Sequence, residues 1–250
     1  MSQTIVVKIG SSVALTRRQK LDVFRMTQLA KQIKALQERE WQILLVVSGA
    51  VSTGQKILGE GFTNDHLVNQ LYAGIGQSYI TSGVREIFAN EDLLTSQILL
   101  TKTDLEDGER RGNLQKVLAL SATRGAIPII NENDIVDLNS FGGNDFLASR
   151  LAHAIRADCL IVLTDVDGVI SKDGKTLSTI RDYESNLADL KKNYSVKRVG
   201  GIGDKIIASC SAARYGIKTI IANGKAEDIL VRVLLKGEKL GTEVLRETIT

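Results

Sequence analysis

Two lysines and one aspartate stand where a phosphoryl group could be moved. Lys8 closes the β-branched run of "IVVKIGSS" (residues 5 to 12), two residues before Gly10-Ser11-Ser12. A lysine at the tip of a buried strand is costly unless an anion meets it. Lys205 ends the glycine-rich "VGGIGDK" (199 to 205) and opens the apolar-periodic "KIIASCSAARYG". Glycines let backbone N–H groups approach a phosphate, and a helix start adds its positive end. Lys8 and Lys205 could therefore bracket a transferring phosphoryl group as fixed positive charges. At about 4 Å two such ammonium groups repel by about 4 kcal/mol at an effective dielectric of about 20, so a carboxylate is needed between them. Asp145, in "GGND" at the head of "DFLASRLAHAIRAD", is the candidate. The same position equally suits a carboxylate that only caps a helix.

Three more segments concentrate small and polar residues: "VSGAVSTG" (47 to 54), "NENDIVDLNSFGGND" (131 to 145) and "LTDVDG" (163 to 168). None is decisive alone. "GAVSTGQK" approaches the P-loop pattern G-x-x-x-x-G-K-[ST], but Gln55 follows Gly54 where the lysine belongs. "GGIG" lacks the G-x-G-x-x-G spacing and comes late in the chain, which argues against a dinucleotide site.

The elements that must position these residues are legible as alternating patterns. Short apolar runs at 4–10, 41–49, 95–101, 126–134, 159–168 and 217–224 have the length of buried strands and end in Gly, Asn, Asp or Ser. Between them Leu21, Met26, Leu29, Ile33 and Leu36 follow a 3.6-residue period, as do Leu67, Leu71, Ile75, Ile80 and Val84, and Leu114, Val117, Leu118 and Ser121. The order β-α-β-α predicts an α/β fold, a three-layer αβα sandwich around a mostly parallel open sheet. Ligands of such sheets sit beyond the carboxyl ends of the strands, where the unusual residues gather. "GVISKDGKTLST" (168 to 179), with its DGK turn, predicts a hairpin insertion. With one proline, Pro128, and no Ser/Gly-rich linker, the reading is a single domain with two lobes.

Composition narrows the function classes. At 250 residues, 43% hydrophobic and 24% charged, with a mean hydropathy of +0.01, the chain is that of a globular protein. Its apolar runs fall well below the roughly 18 residues of a membrane helix, and no basic leader precedes the first strand, so a cytoplasmic protein is expected. Cys159 and Cys210 have neither knuckle nor redox spacing and read as core thiols, and His66 and His153 lack partners at ligand spacing, so no protein-ligated metal is expected. A net charge of +3 and scattered basic doublets (Arg17-Arg18, Arg110-Arg111, Lys191-Lys192) give no nucleic-acid surface.

Taken jointly and in order, "VVKIGSS", "VVSGAVSTG", "LLTKTDLEDGERRGNL", "PIINENDIV", "GGNDFLA", "VLTDVDG" and "VGGIGDK" resemble the amino acid kinase family across essentially the whole chain, and within it the branch that phosphorylates free glutamate. The resemblance implies ATP-dependent phosphorylation of the glutamate side-chain carboxylate to gamma-glutamyl phosphate, the first step of proline synthesis. Sister acceptors, namely N-acetylglutamate, aspartate or UMP, and a non-catalytic nucleotide- or amino-acid-binding regulator are the alternatives.

By carry-over, Lys8, Lys205 and Asp145 are catalytic. Ser48, Gly49, Ala50, Asn131, Asp134 and Asn144 bind glutamate. Lys8, Gly10, Thr164, Asp165, Val199, Gly200, Gly201, Ile202, Gly203, Asp204 and Lys205 hold the nucleotide. The N-terminal lobe, about 1–155, would take glutamate and the C-terminal lobe, about 156–250, ATP. Mg²⁺ would arrive with ATP on phosphate oxygens and water rather than in a protein cage. A homodimer or homotetramer, and glutamate-5-semialdehyde dehydrogenase as a partner, follow from the same resemblance.

The residues themselves suit that substrate. A carboxylate acceptor is already ionised at pH 7, so the scarcity of histidine is no obstacle. The acidic "NENDIVD", with Glu132, Asp134 and Asp137, would attract an α-ammonium and repel a nucleoside monophosphate.

Several positions depart from the family pattern. Gly143 stands where these members commonly carry aspartate. Val199, Ile202 and Asp204 replace the usual Thr, Met and Thr. The loop from Ile135 to Gly142, through which members are inhibited by proline, is a little short. The chain also ends soon after "GTEVL", without room for the PUA domain that many bacterial members append.

Overall fold

The computed structural model describes residues 3–171, 173–181 and 201–246. The core is one eight-stranded sheet with the order β3-β4-β2-β1-β5-β7-β8-β6. β1 (Thr4–Ile9), β2 (Gln42–Val47), β3 (Leu94–Leu100), β4 (Ala126–Glu132), β5 (Cys159–Thr164) and β7 (Lys218–Asn223) pair in parallel. β8 (Thr242–Val244) runs antiparallel to β7, and β6 (Thr179–Ile180) pairs in parallel with β8. β5 is buried along its whole length, and β1 is buried from Ile5 to Ile9. Strands covered on both faces read as unbroken apolar runs, which is why they were legible as such.

Strand alternation then sorts the helices into two layers. Ile5, Val7 and Ile9 of β1 pack in one core with α1 (Ser11–Ala14), α2 (Val23–Gln37), α3 (Ala50–Leu58), α4 (His66–Ala89) and α9 (Ile229–Leu234). Val6 points the other way, into a core with α5 (Lys102–Glu106), α6 (Gly108–Thr123), α7 (Asn144–Ala154) and α8 (Ile202–Arg214). Lys8, two residues on from Val6, shares that second face, the one covered by α7 and α8. The three-layer αβα architecture around a mostly parallel sheet is thus the one the sequence pattern predicts.

Topology locates the crevice. From β1 the chain works outward through β2, β4 and β3 on one side, and from β5 outward through β7, β8 and β6 on the other. The order therefore reverses between β1 and β5, where open sheets bind ligands. There the Gly10 N–H donates to the Leu163 carbonyl at 3.1 Å, closing the two strand tips together.

Local chemistry sets the helix starts. Asp22, Asp65 and Asp107 cap α2, α4 and α6 by accepting from backbone N–H groups in the first turn.

Four elements differ from the sequence expectation. The hairpin expected over 168–179 is present but shorter: the Ser171 N–H donates to the Lys175 carbonyl and the Leu177 N–H to the Val169 carbonyl, both at 2.8 Å, around an antiparallel bridge between Ile170 and Thr176, while Thr179 and Ile180 pair with β8. The flanks are too short and polar to extend a ladder. β8, of three residues, carries too little periodicity to be read. α9, of six residues, escapes for the same reason. α3 grows out of the glycine- and serine-rich "VSGAVSTG", a composition that favours turns, and it is tertiary packing that makes it a helix. Cys159 and Cys210 are buried and in no disulfide among the described residues, where also no helix is long and apolar enough to cross a membrane.

Candidate active site

Asp145 lies between two ammonium groups. Lys8 Nζ stands 2.6 Å from Asp145 Oδ1 and Lys205 Nζ 3.1 Å from Asp145 Oδ2. All three side chains are at least 94% buried. Each comes from a different element for a readable reason: Lys8 from the α7/α8 face of β1, Asp145 from the first turn of α7, and Lys205 from the first turn of α8. The two carboxylate oxygens face the lysines, so the simple capping role does not describe Asp145. Burial pushes the Lys8 ammonium below its ordinary range, Asp145 pulls it back up, and the Lys205 charge lowers it again.

This triad forms one wall of a cavity of about 510 Å³. The opposite wall is the turn Ser48-Gly49-Ala50, held to the tip of β1 by the Ser48 N–H on the Ile9 carbonyl at 3.1 Å. α3 can bring that turn in because it crosses α4 in backbone contact. A Cβ on Gly54 would lie 1.9 Å from the Tyr72 carbonyl oxygen, and one on Gly76 1.8 Å from that of Ala50.

The third wall comes from the end of β4 and the loop that follows. Asn131, Glu132, Asp134 and Asn144 line it, and the Asn139 N–H donates to Asp134 at 2.8 Å. Burial raises the Asp134 carboxyl, the Asn139 N–H lowers it, and Asp137 raises it further.

Glu132 stands on the same wall. It ends β4, is buried, and accepts the Phe141 N–H at 3.0 Å. Burial drives its carboxyl up to about 7, against the pull of that N–H and with help from Asp134.

Of the residues singled out in the sequence, Lys8, Gly10, Ser48, Gly49, Ala50, Asn131, Asp134, Asn144, Asp145 and Lys205 share this one cavity. Thr164 and Asp165 sit at the tip of β5, beside β1, and Gly201, Ile202, Gly203 and Asp204 make the start of α8. None of these six lines the cavity itself. Val199 and Gly200 lie outside the described residues.

Sequence reasoning missed Gln55, Phe62 and Asn69, which also line the cavity from α3, α4 and the stretch joining them. Helix periodicity marks apolar faces, and it carries no signal for polar residues on the opposite side. Gly143, with φ 114° and ψ 161°, precedes α7 in a conformation essentially restricted to glycine, where an aspartate would be strained.

A sequence model of the amino acid kinase family matches residues 3–223, the span that carries every element of this cavity. The chain belongs to the amino acid kinase family. Among amino acid kinases it is 36% identical to a glutamate 5-kinase of Nitrosospira multiformis, aligned over 100% of this chain and 69% of that protein. It is 35% identical to a glutamate 5-kinase of Caldanaerobacter subterraneus subsp. tengcongensis, over 96% of this chain and 67% of that protein. In three dimensions it resembles an N-acetylglutamate synthase from Neisseria gonorrhoeae with a TM-score of 0.74 at 16% identity, covering 99% of this chain and 60% of the synthase. An isopentenyl phosphate kinase superposes with a TM-score of 0.66 at 16% identity, over 96% of this chain and 99% of that one. At such identities these two structures speak for the fold alone.

Proposed function

We propose that this amino acid kinase transfers the γ-phosphoryl group of ATP to the side-chain carboxylate of free L-glutamate, giving gamma-glutamyl phosphate and ADP. The observation that carries the reading is Asp145 holding Lys8 and Lys205 on one wall of a cavity whose other walls offer amides and a carboxylate. The similarity to glutamate 5-kinases over the whole chain supports the choice of acceptor.

A carboxylate oxygen of the substrate attacks the γ-phosphorus while the bond from that phosphorus to the β,γ-bridging oxygen breaks, and the electron pair leaves on ADP. No proton has to move, so no general base is required. The chain supplies position and charge. Lys8 and Lys205 neutralise the oxygens of the transferring group, and Asp145 keeps their mutual repulsion from splaying them. Ser48, Gly49, Ala50, Asn131, Asp134 and Asn144 seat the amino acid, with Asp134 facing its ammonium. The tip of β5 (Thr164, Asp165) and the start of α8 (Gly201 to Asp204) hold the nucleotide, so the N-terminal lobe takes the acceptor and the C-terminal lobe the donor. Mg²⁺ enters as part of the MgATP substrate; among the described residues no group of three or more His, Cys, Asp or Glu side chains could hold a metal ion.

The reading carries with it a cytoplasmic homo-oligomer. Because acyl phosphates are reactive, a reductase acting on the product, glutamate-5-semialdehyde dehydrogenase, is the expected consumer. The test is direct: purified protein with ATP, Mg²⁺ and hydroxylamine should form a hydroxamate with glutamate and not with N-acetylglutamate or aspartate. Hydroxamate from either of those alone reassigns the acceptor; with no hydroxamate, ADP release on adding UMP reassigns the acceptor to a nucleotide, and ATP binding with no ADP release with any acceptor reassigns the protein as a regulator.

A further inference from the structure

Asn131 and Asn144 present their amides to the acceptor side of the cavity, and the direction in which each amide points is set from beneath. The backbone N–H of Glu132 donates to Asn131 Oδ1 at 3.0 Å. A backbone N–H cannot act as an acceptor, so the Asn131 oxygen is fixed at that end and its Nδ2 at the other. There Nδ2 donates to Gln77 Oε1, and Gln77 Nε2 in turn donates to Thr81 Oγ1 at 2.9 Å. Towards the substrate, Asn144 Nδ2 donates to the same Asn131 Oδ1. The chain Asn144, Asn131, Gln77, Thr81 therefore has a single polarity, and it leaves Asn144 Oδ1 as a buried acceptor without a hydrogen-bond partner. An open buried acceptor is unfavourable until a donor arrives.

Gln77 is buried on α4 and does not line the catalytic cavity, and its side chain reaches the cavity wall through its hydrogen bond with Asn131. We infer that Gln77 is a positioning residue for substrate selection: by holding Asn131, it keeps the Asn144 carbonyl oxygen turned to receive an N–H of an amino-acid ammonium group. The inference deepens the proposed glutamate kinase activity and rests on it for the identity of the acceptor. Without the Gln77 oxygen, Asn131 Nδ2 is left unpaired, Asn131 can rotate, and Asn144 loses the partner that orients it.

The test compares Gln77→Leu, Gln77→Glu and wild type. The leucine variant removes the acceptor at similar volume. The glutamate variant keeps an oxygen toward Asn131 and, when protonated in its buried setting, a donor toward Thr81. For Gln77→Leu the KM for glutamate should rise roughly tenfold or more, with kcat within about twofold and the KM for ATP unchanged. Calorimetric titration of glutamate into the protein should show the same loss of affinity. Gln77→Glu should recover most of it.

An unchanged glutamate KM in folded Gln77→Leu overturns the inference. So does a fall in kcat and a rise in both KM values that Gln77→Glu fails to rescue, since that pattern belongs to a merely structural residue. Wild type separates the two layers of the argument. If it makes no hydroxamate from glutamate but does so from another amino acid, the proposed acceptor is wrong, and the same comparison run with that amino acid still decides the role of Gln77.

Discussion

Asp145 meeting Lys8 and Lys205 determines what can be expected of each lysine alone. In the proposed transfer the two cations would do most when negative charge shifts onto the transferring phosphoryl oxygens, so their removal should appear in turnover and not in acceptor binding. Lys8→Ala or Lys205→Ala should lower kcat on the order of a hundredfold or more, with the KM for glutamate changed by less than about threefold. Asp145 keeps one lysine in either variant, so the buried carboxylate is not left unpaired and the protein should still fold. Steady-state kinetics with both substrates varied decides the matter. A rise in glutamate KM at constant kcat would mean that the lysines bind the acceptor rather than the travelling group. The pairing itself was partly legible in the sequence: a lysine ending an apolar strand demands an anion, and one aspartate at a helix start was placed to supply it. The relay behind Asn131 was not legible, because a glutamine mid-helix has no pattern that separates it from a solvent-facing one.

Elements hold those side chains in place, and the least legible of them, α3, has the largest positional effect. Its sequence favours a turn, yet packing against α4 through Gly54 and Gly76 makes it a helix and swings Ser48-Gly49-Ala50 over the tip of β1. Gly76→Ala would put a methyl group 1.8 Å from the Ala50 carbonyl oxygen and 2.7 Å from the Gly54 nitrogen. Since both neighbours are backbone, the helices must separate. The expected loss of stability is about 2–4 kcal/mol, together with a raised glutamate KM if the cavity takes the acceptor as proposed, because the displaced turn is one of its walls. Gly112→Ala on α6 is the control: its added Cβ meets nothing within 4 Å, so the helix should gain about 0.5–1 kcal/mol. Chemical denaturation of the two variants beside wild type checks both numbers. Equal behaviour would mean that the α3–α4 crossing does not set the site. Strands were read well for the opposite reason, since both faces of β1 and β5 are covered and burial writes itself into the residue types, whereas β8 and α9 are too short to carry a period.

At the scale of the whole molecule, the cavity leaves a signature in stability because it keeps a carboxyl group out of water. Glu132 is buried at the end of β4, and its folded-state value is raised from 4.5 to about 7, first by burial and then by the charges of Asp134 and Asp137, against the Phe141 N–H. A group raised on folding gives its full contribution below its unfolded value, and that contribution is lost as pH climbs to the folded one. Below about pH 4.5 the folded and unfolded chains both carry the proton. Between about 4.5 and 7 the unfolded chain releases it while the folded chain retains it, so stability falls by up to about 1.4 kcal/mol per pH unit from this group. Asp134 is raised as well and slopes the same way, so a single wild-type curve cannot assign the effect. Glu132→Gln can, because the amide oxygen still accepts the Phe141 N–H while nothing titrates at that position. Urea denaturation from pH 4.5 to 8 should show the variant gaining on wild type up to about pH 7 and holding a constant difference above it. Parallel curves across that window would show that Glu132 does not carry the titration.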